Sequence, residues 1–442
     1  MHEVLNHTHD ASARSWLASA NQTGCDFPIQ NLAICVFRPK GESVPYRGGV
    51  AIGDQIVDLS LLSQASLADD AGRVAIAAGA APQLNELMAL GPHAWRALRH
   101  TLFALLHEQE GSAVADAVRR CLVPVDQALF KLPVQIGDYT DYYTSIEHAT
   151  NIMRLFGSDE IGANFRWLPL AYHGRVSSID ISGHTFHRPT GQVFPAGGAA
   201  PEARPTAKLD YELELAVYIG QGNLRGQAIP LDQAEDHVFG IGLLNDWSAR
   251  DIQSWEMNPL GPFLAKNFAT TLSPWIVSME ALAPFRSALP RRGEDPASLA
   301  YLDSSRNRES GALDIQLEVW METAHARREN LPATRLCATS FRHQYWTIAQ
   351  MVTHHTINGC NLRRGDLLGS GTVSGPGAQE AGAMMELARN GAAPVRLSSG
   401  EDRAFVQDGD AITLKGYCER AGFVRIGFGE SRGEVRPARM LV

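Results

Sequence analysis

The sequence predicts a mainly β protein with some helix (α+β), built as a small N-terminal domain over residues 1–133 and a larger C-terminal roll or barrel over residues 134–442. Two observations lead there. A chain of 442 residues exceeds the usual size of one domain and can bury a large core. Its character also changes near Pro133: strand-like runs followed by one helical stripe come before it, and glycine-punctuated apolar runs with few helical patterns come after.

In the first part, apolar residues 32–36, a turn at Pro39-Lys40-Gly41, loose alternation over residues 48–52, a turn at Gly53-Asp54 and residues 56–59 read as short strands. Leu84, Leu87, Met88, Trp95, Leu98, Leu102 and Leu105 then recur at helical spacing, so helices close the domain and Trp95 belongs to its core. Nothing catalytic stands out here, and a docking or dimer-supporting role is expected. Residues 1–14 are polar and His-rich without an apolar stretch, which predicts a loose tail and not a secretory signal. In the second part, residues 209–219, 239–244, 273–277, 313–321, 366–368, 411–414 and 424–428 read as strands. The polar stretch 289–311 reads as an exposed loop.

Composition narrows the partners. A net charge of −9 leaves no basic stripe to neutralise phosphates, so nucleic acid is not expected. No apolar run approaches the length that spans a bilayer, so no membrane role is expected. Six cysteines without C-x-x-C spacing predict reduced thiols in a cytoplasmic protein.

The chemistry gathers in residues 211–270. Period-2 alternation places Glu212 and Glu214 on one face of a strand, where two like charges repel unless a cation lies between them. Asp246 follows the apolar run 239–244, where a strand hands a carboxylate to a cleft. Each has an ordinary alternative: a Glu-x-Glu pair usually faces solvent, and an isolated Asp often caps a helix. A third cluster, Asp138-Tyr139-Thr140-Asp141-Tyr142-Tyr143 with His148 behind it, adds another acid and an imidazole. Several carboxylates without thiolates suit Ca²⁺ or Mg²⁺ better than zinc. Adjacent His354 and His355, read as strand residues facing opposite ways, are taken as structural, and Gly369-Ser370-Gly371-Thr372 without a Walker lysine is only a turn.

Longer motifs carry a resemblance. Gly137-Asp-Tyr-Thr-Asp-Tyr-Tyr143, Glu147-His-Ala-Thr-Asn151, Ala171-Tyr-His-Gly-Arg-Val-Ser-Ser178, Asn245-Asp-Trp-Ser-Ala-Arg-Asp-Ile-Gln253, Pro259-Leu-Gly-Pro-Phe-Leu264, Thr353-His-His355, Asn358-Gly-Cys-Asn-Leu-Arg363 and Gly371-Thr372 resemble, in order, the fumarylacetoacetate hydrolase family. The resemblance implies an SH3-like N-terminal domain, a β-roll catalytic domain and a homodimer. It also implies hydrolysis of a C–C bond in a 1,3-diketone acid such as fumarylacetoacetate, giving fumarate and acetoacetate, the last step of tyrosine and phenylalanine catabolism. By motif position, Asp141, Glu212, Glu214 and Asp246 would hold a divalent ion, usually Ca²⁺, with Lys266 and Thr270 beside Asp246 at a second, Mg²⁺-type site. His148 would be the general base, oriented by Glu386, itself read on an extended piece. Arg250, Gln253 and Lys266 would surround the developing oxyanion, and Tyr143, Tyr172 and Thr372 would line the substrate. The loop 261–265 before Lys266 reads as buried.

Two positions depart from the family. Gly157 stands where an Arg is expected, with Arg154 shifted nearby, and Met257 stands where a Tyr is expected. Both lost groups would contact polar ends of the substrate. A different 1,3-diketone acid from aromatic catabolism, or a catalytically idle metal-binding dimeric scaffold, are the alternatives these departures keep open.

Overall fold

The computed structural model describes residues 5–439 apart from residue 292. An antiparallel five-stranded sheet forms the N-terminal part, in the order Leu122–Pro124, Gln55–Asp58, Arg47–Ile52, Ile34–Pro39, Ala128–Phe130. Gly53 at φ +58° turns the second strand into the third, as the Gly-Asp signal predicts. The two edge strands, Leu122–Pro124 and Ala128–Phe130, follow the helices Leu59–Gln64, Asp70–Gly79, Asn85–Ala89, Pro92–Leu106 and Ser112–Arg119 in the chain, so the helices are inserted into the sheet and do not simply close it. Leu98, Leu102, Leu105 and Leu106 bury one stripe of the long helix. Trp95 is half-buried, its ring edge-on to Phe239 of the second part.

The second part is two sheets with a common core between them. One runs Leu170–His173, Tyr139–Tyr143, Leu367–Gly369, Leu213–Ile219, Val238–Asp246, Thr270–Leu272, Ile179–Ile181, with Val277–Ser278 paired to the strand Val238–Asp246. The other runs Thr334–Ser340, Gln316–Glu322, Ala411–Cys418, Ile426–Arg436, Thr185–His187. Leu215, Val217, Ile241 and Leu243 from the first meet Leu317, Val319, Leu414 and Phe428 from the second in one buried cluster. The molecule is therefore α+β and mainly β in its larger part, with N- and C-terminal domains, as its sequence predicts.

Several local expectations need correction. Residues 5–14 are not a loose tail: Thr8, His9 and Ala13 are buried, and Arg99 donates to Thr8 Oγ1 at 3.2 Å. Residues 1–4 of that stretch lie outside the described residues. Of the predicted strand 273–277, residues 273–276 are a connection from Thr270–Leu272, and only Val277 is in a strand, Val277–Ser278. The stretch 289–311 carries the helix Ser305–Ser310 and buries Leu289, Leu302 and Asn307, because Asn307 accepts from Thr347 Oγ1 at 2.7 Å. His354 and His355 lie on the helix Ile348–Thr356, where neighbours are offset by 100° and not by 180°. Their partners, Tyr301 and Thr140, keep them structural.

Candidate active site and metal centre

Strand register builds the acid cluster. Asp141 lies between Tyr172 and Gly369 in the first sheet, and Asp246 ends its strand opposite Thr270. Glu212 and Glu214 reach the same place from one neighbouring strand and its leading residue, on one face as period 2 requires. Carboxylate oxygens of Asp141, Glu212, Glu214 and Asp246 all lie within 4.8 Å of one another, and all four residues are buried. Gly369 makes room for them. A Cβ there would meet Asp141 Oδ1 at 2.5 Å and Glu214 Oε2 at 2.9 Å.

The charges around this cluster do not balance. Lys266 Nζ donates to Glu212 at 2.6 Å and to Asp246 at 2.7 Å. Arg250 reaches Glu212 at 2.7 Å, but is shared with Asp210 at 2.8 Å. Asp141 Oδ1, Glu214 Oε1 and Asp246 Oδ1 remain buried without a protein partner. Burial pushes the Asp141 carboxyl well above its ordinary range, and the Asp246 charge adds to the shift. Glu214 is raised by burial and then by Asp141, and Asp246 by burial. Burial opposes charge on Glu212 as well, but Lys266 and Arg250 outweigh it and hold that carboxyl below the usual range. Unpartnered oxygens on acids that resist common ionisation, with only oxygen donors, fit a hard divalent cation. These four residues could hold a divalent metal ion.

Beside it stands the imidazole. Ser145 caps the helix Ile146–Leu155 by accepting from the His148 backbone N–H, which fixes His148 in the first turn. Glu386 Oε1 accepts from His148 Nδ1 at 2.7 Å, and the Glu386 carboxylate is held in turn by Asn151 at 2.8 Å and Ser374 at 2.9 Å. Glu386 lies on the short helix Met384–Leu387 and not on an extended piece. That helix is capped from outside, since the Asp210 carboxylate accepts from the N–H groups of Met384 and Met385 at 2.7 and 3.0 Å. One buried Asp thus aligns both Arg250 and the helix that orients His148.

A cavity of about 630 Å³ joins these groups. Asp141, Glu212, His148, Arg250, Gln253, Lys266, Tyr143, Tyr172 and Thr372 line it. Tyr172 donates to Asp246 Oδ2 at 2.9 Å, Gln253 accepts from Arg250 at 3.2 Å, and the Tyr143 ring stands edge-on to His148. Glu214, Asp246, Thr270 and Glu386 sit behind the wall. The loop before Lys266 is exposed at Phe263 and Leu264, against expectation, while Lys266 itself is buried. The Glu256 carboxylate secures that loop by accepting from the N–H groups of Phe263, Leu264 and Ala265, so it can be ordered without burial. Gly157 lies past the helix end at φ +82°, a position that favours glycine, and Arg154 pairs with Asp159 away from the cavity. Met257 does line the cavity.

Sequence reasoning gave no role to Asp210, Asn151, Ser374 or Gly369. Asp210 precedes Glu212 at the same two-residue spacing that singled out Glu214, and Asn151 falls three residues after His148, so each had a legible signal. Ser374 and Gly369 had none, because their partners are remote in sequence.

An acid cluster and a carboxylate-held imidazole facing one cavity define an enzyme of hydrolytic type acting on a small molecule. Models described as "Fumarylacetoacetase N-terminal" and "Fumarylacetoacetate (FAA) hydrolase C-terminal" match residues 30–133 and 139–436, and the chain belongs to the fumarylacetoacetate hydrolase family. The fumarylacetoacetase of Caenorhabditis elegans is 46% identical over 425 residues, covering 93% of this chain and 97% of that protein. The fumarylacetoacetase of Homo sapiens is 44% identical over 417 residues, covering 93% and 97%, and that of Arabidopsis thaliana 44% over 416 residues, covering 93% and 96%. Among solved structures, a fumarylacetoacetate hydrolase from psychrophilic Exiguobacterium antarcticum matches with a TM-score of 0.50 and 17% identity, over 92% of this chain and 100% of that chain, a likeness of fold.

Proposed function

We propose that this chain hydrolyses the C–C bond between the carbonyls of a 1,3-diketone acid, with fumarylacetoacetate, cleaved to fumarate and acetoacetate in tyrosine and phenylalanine catabolism, as first substrate. In outline, R–CO–CH₂–CO–R′ and water give R–COOH and CH₃–CO–R′. The observation that carries the reading is that His148, held by Glu386, lines one cavity together with Asp141 and Glu212 of the four-acid cluster.

His148, with Nδ1 engaged by Glu386, keeps Nε2 to take a proton from water. The hydroxide adds to a carbonyl carbon, and the negative oxygen that forms needs donors already in place. Arg250, Lys266 and Gln253 supply them, each well-placed donor contributing roughly 3–4 kcal/mol. The bond pair then passes to the methylene carbon, which takes up a proton. Asp141, Glu212, Glu214 and Asp246 would hold the divalent ion, which when bound supplies Lewis acidity to the diketone oxygens. Tyr143, Tyr172 and Thr372 orient the substrate. Ca²⁺ is the first choice and Mg²⁺ the second, with a further Mg²⁺ near Lys266, Thr270 and Asp246, where Thr270 pairs with Asp246 across the sheet. A cytoplasmic homodimer with a domain boundary at 133/134 completes the proposal, supported by six free thiols and by the family resemblance. Among the described residues, no helix is long and apolar enough to cross a membrane.

A second reading, hydrolysis of a different 1,3-diketone, is favoured by the exposed Arg154, the bare Gly157 and the apolar Met257. Incubation of the purified protein with fumarylacetoacetate and with substituted diketones, following loss of the enol absorbance, tests both. Turnover of none by fully metal-loaded protein would sink the hydrolase reading and leave an idle scaffold.

A further inference from the structure

Resting on the metal-site part of the proposed function, we infer that Tyr139 is a positioning residue of the metal centre, its hydroxyl orienting the Asp141 carboxylate for the ion. Tyr139 opens the strand Tyr139–Tyr143 and stands two residues before Asp141, so both side chains leave the same face of the sheet. The parallel neighbour strand Leu367–Gly369 places Leu367 opposite Tyr139 and Gly369 opposite Asp141. A Cβ on Gly369 would meet three oxygens at once: Asp141 Oδ1 at 2.5 Å, Glu214 Oε2 at 2.9 Å and the Tyr139 hydroxyl at 3.0 Å. The side chain that Gly369 lacks is therefore the space in which the phenol approaches the acids. A second glycine fixes the ring: a Cβ on Gly174 would run into it, and the Gly174 N–H donates to the Tyr139 carbonyl at 2.8 Å.

Tyr139 is 3% exposed, and its hydroxyl has no hydrogen-bond partner among the described residues. Core packing alone does not account for it, because a buried hydroxyl left unbonded is unfavourable and phenylalanine would fill the same space. The other acids of the cluster have donors. Lys266 serves Glu212 and Asp246, Tyr172 serves Asp246, and the Gly371 N–H serves Glu214 Oε2 at 3.1 Å. Asp141 Oδ1 has none among the described residues. A phenol suits that place. It steadies an ionised carboxylate, yet brings no positive charge to compete with a cation, as Lys266 and Arg250 do at Glu212. Groups that hold a ligating carboxylate from behind set the affinity of a metal site along with the ligands themselves. Tyr139 does not line the cavity, so its hydroxyl acts through Asp141 and not on the substrate.

The test titrates Ca²⁺ and Mg²⁺ into the metal-free full chain by calorimetry, comparing wild type with Tyr139→Phe. The variant should bind the ion roughly 10–100-fold more weakly. Its metal-free Tm should equal or exceed that of metal-free wild type, because the hydroxyl has no bond to lose, and only the rise in Tm on adding metal should shrink. Tyr218→Phe is the control. Its hydroxyl is also buried without a partner among the described residues, but lies four residues beyond Glu214 on the same strand, about 13 Å away. Its ion affinity should match wild type. Wild-type affinity in Tyr139→Phe, an equal loss in Tyr218→Phe, or the same fall in Tm with and without metal would overturn the inference and leave the metal site standing. A wild type that binds neither ion would remove the site and the inference together.

Discussion

Two buried acid sites in this molecule handle charge in contrasting ways. Where the N-terminal helices meet the C-terminal part, Glu280 accepts from Asn6 at 2.7 Å and from His100 at 2.7 Å, with Arg96 4.0 Å away. Its backbone carbonyl meets His9 at 2.8 Å. At the cavity, Asp141, Glu214 and Asp246 each retain a buried oxygen with no protein partner. Glu280 is satisfied by the fold and holds two regions together. The cavity acids are left short of positive charge, so the fold there stores an affinity instead of a contact. The acid that holds two regions together completes its own bonding; those at the cavity leave an oxygen open to a ligand.

The contrast can be broken or sharpened by experiment. Replacing His148 with Ala should lower kcat by roughly 10²–10⁴ while the bound metal stays stoichiometric. A variant that keeps most of its kcat would detach the imidazole from the chemistry. Glu214→Ala should lose divalent-ion binding, read by elemental analysis, together with activity. Since it also removes a repelling charge, its metal-free Tm should not fall below that of metal-free wild type. Full metal occupancy in this variant would contradict the site. Removing the metal with a chelator should lower stability by about 2.7 kcal/mol relative to protein at a hundredfold excess over Kd. An unchanged Tm would mean that the acids hold nothing. Glu280→Ala should cost about 1–3 kcal/mol in denaturant unfolding, because buried donors lose their acceptor, and should do so equally with and without metal.

The smallest effect is in acid. Burial alone would raise the Glu280 carboxyl, but the His100 hydrogen bond and the Arg99 charge hold it below its ordinary range. A folded value below the unfolded one contributes stability that is present above about pH 4.3 and disappears as pH falls through the folded value. Glu280→Gln should therefore flatten the dependence of stability on pH below about 4.3. An unflattened profile would show that other carboxyls govern the acid limb.

Local signals carried much of the site. The Glu212–Glu214 alternation, the acid at the end of an apolar run in Asp246, and the spacing of Asp141 and His148 were all legible, because each depends on residues a few positions apart. Residues 5–14 and 289–311 misled for the complementary reason. Their polar composition reads as solvent, yet Thr8 and Asn307 bury themselves against Arg99 and Thr347, partners 91 and 40 residues away. Glu386 was placed beside His148 by resemblance and not by pattern, since 238 residues separate them.

By itself, the sequence determined which side chains could do the chemistry, the mainly β class and the strand that presents two acids on one face. These follow from short-range periodicity and donor type. Only the tertiary structure decided that four acids share one point, that Lys266 and Arg250 fail to balance them, and that Asp210 aligns two distant elements. Those are properties of pairing register and of sheet-to-sheet burial, in which the cost of each charge depends on every neighbour the fold brings within a few ångströms.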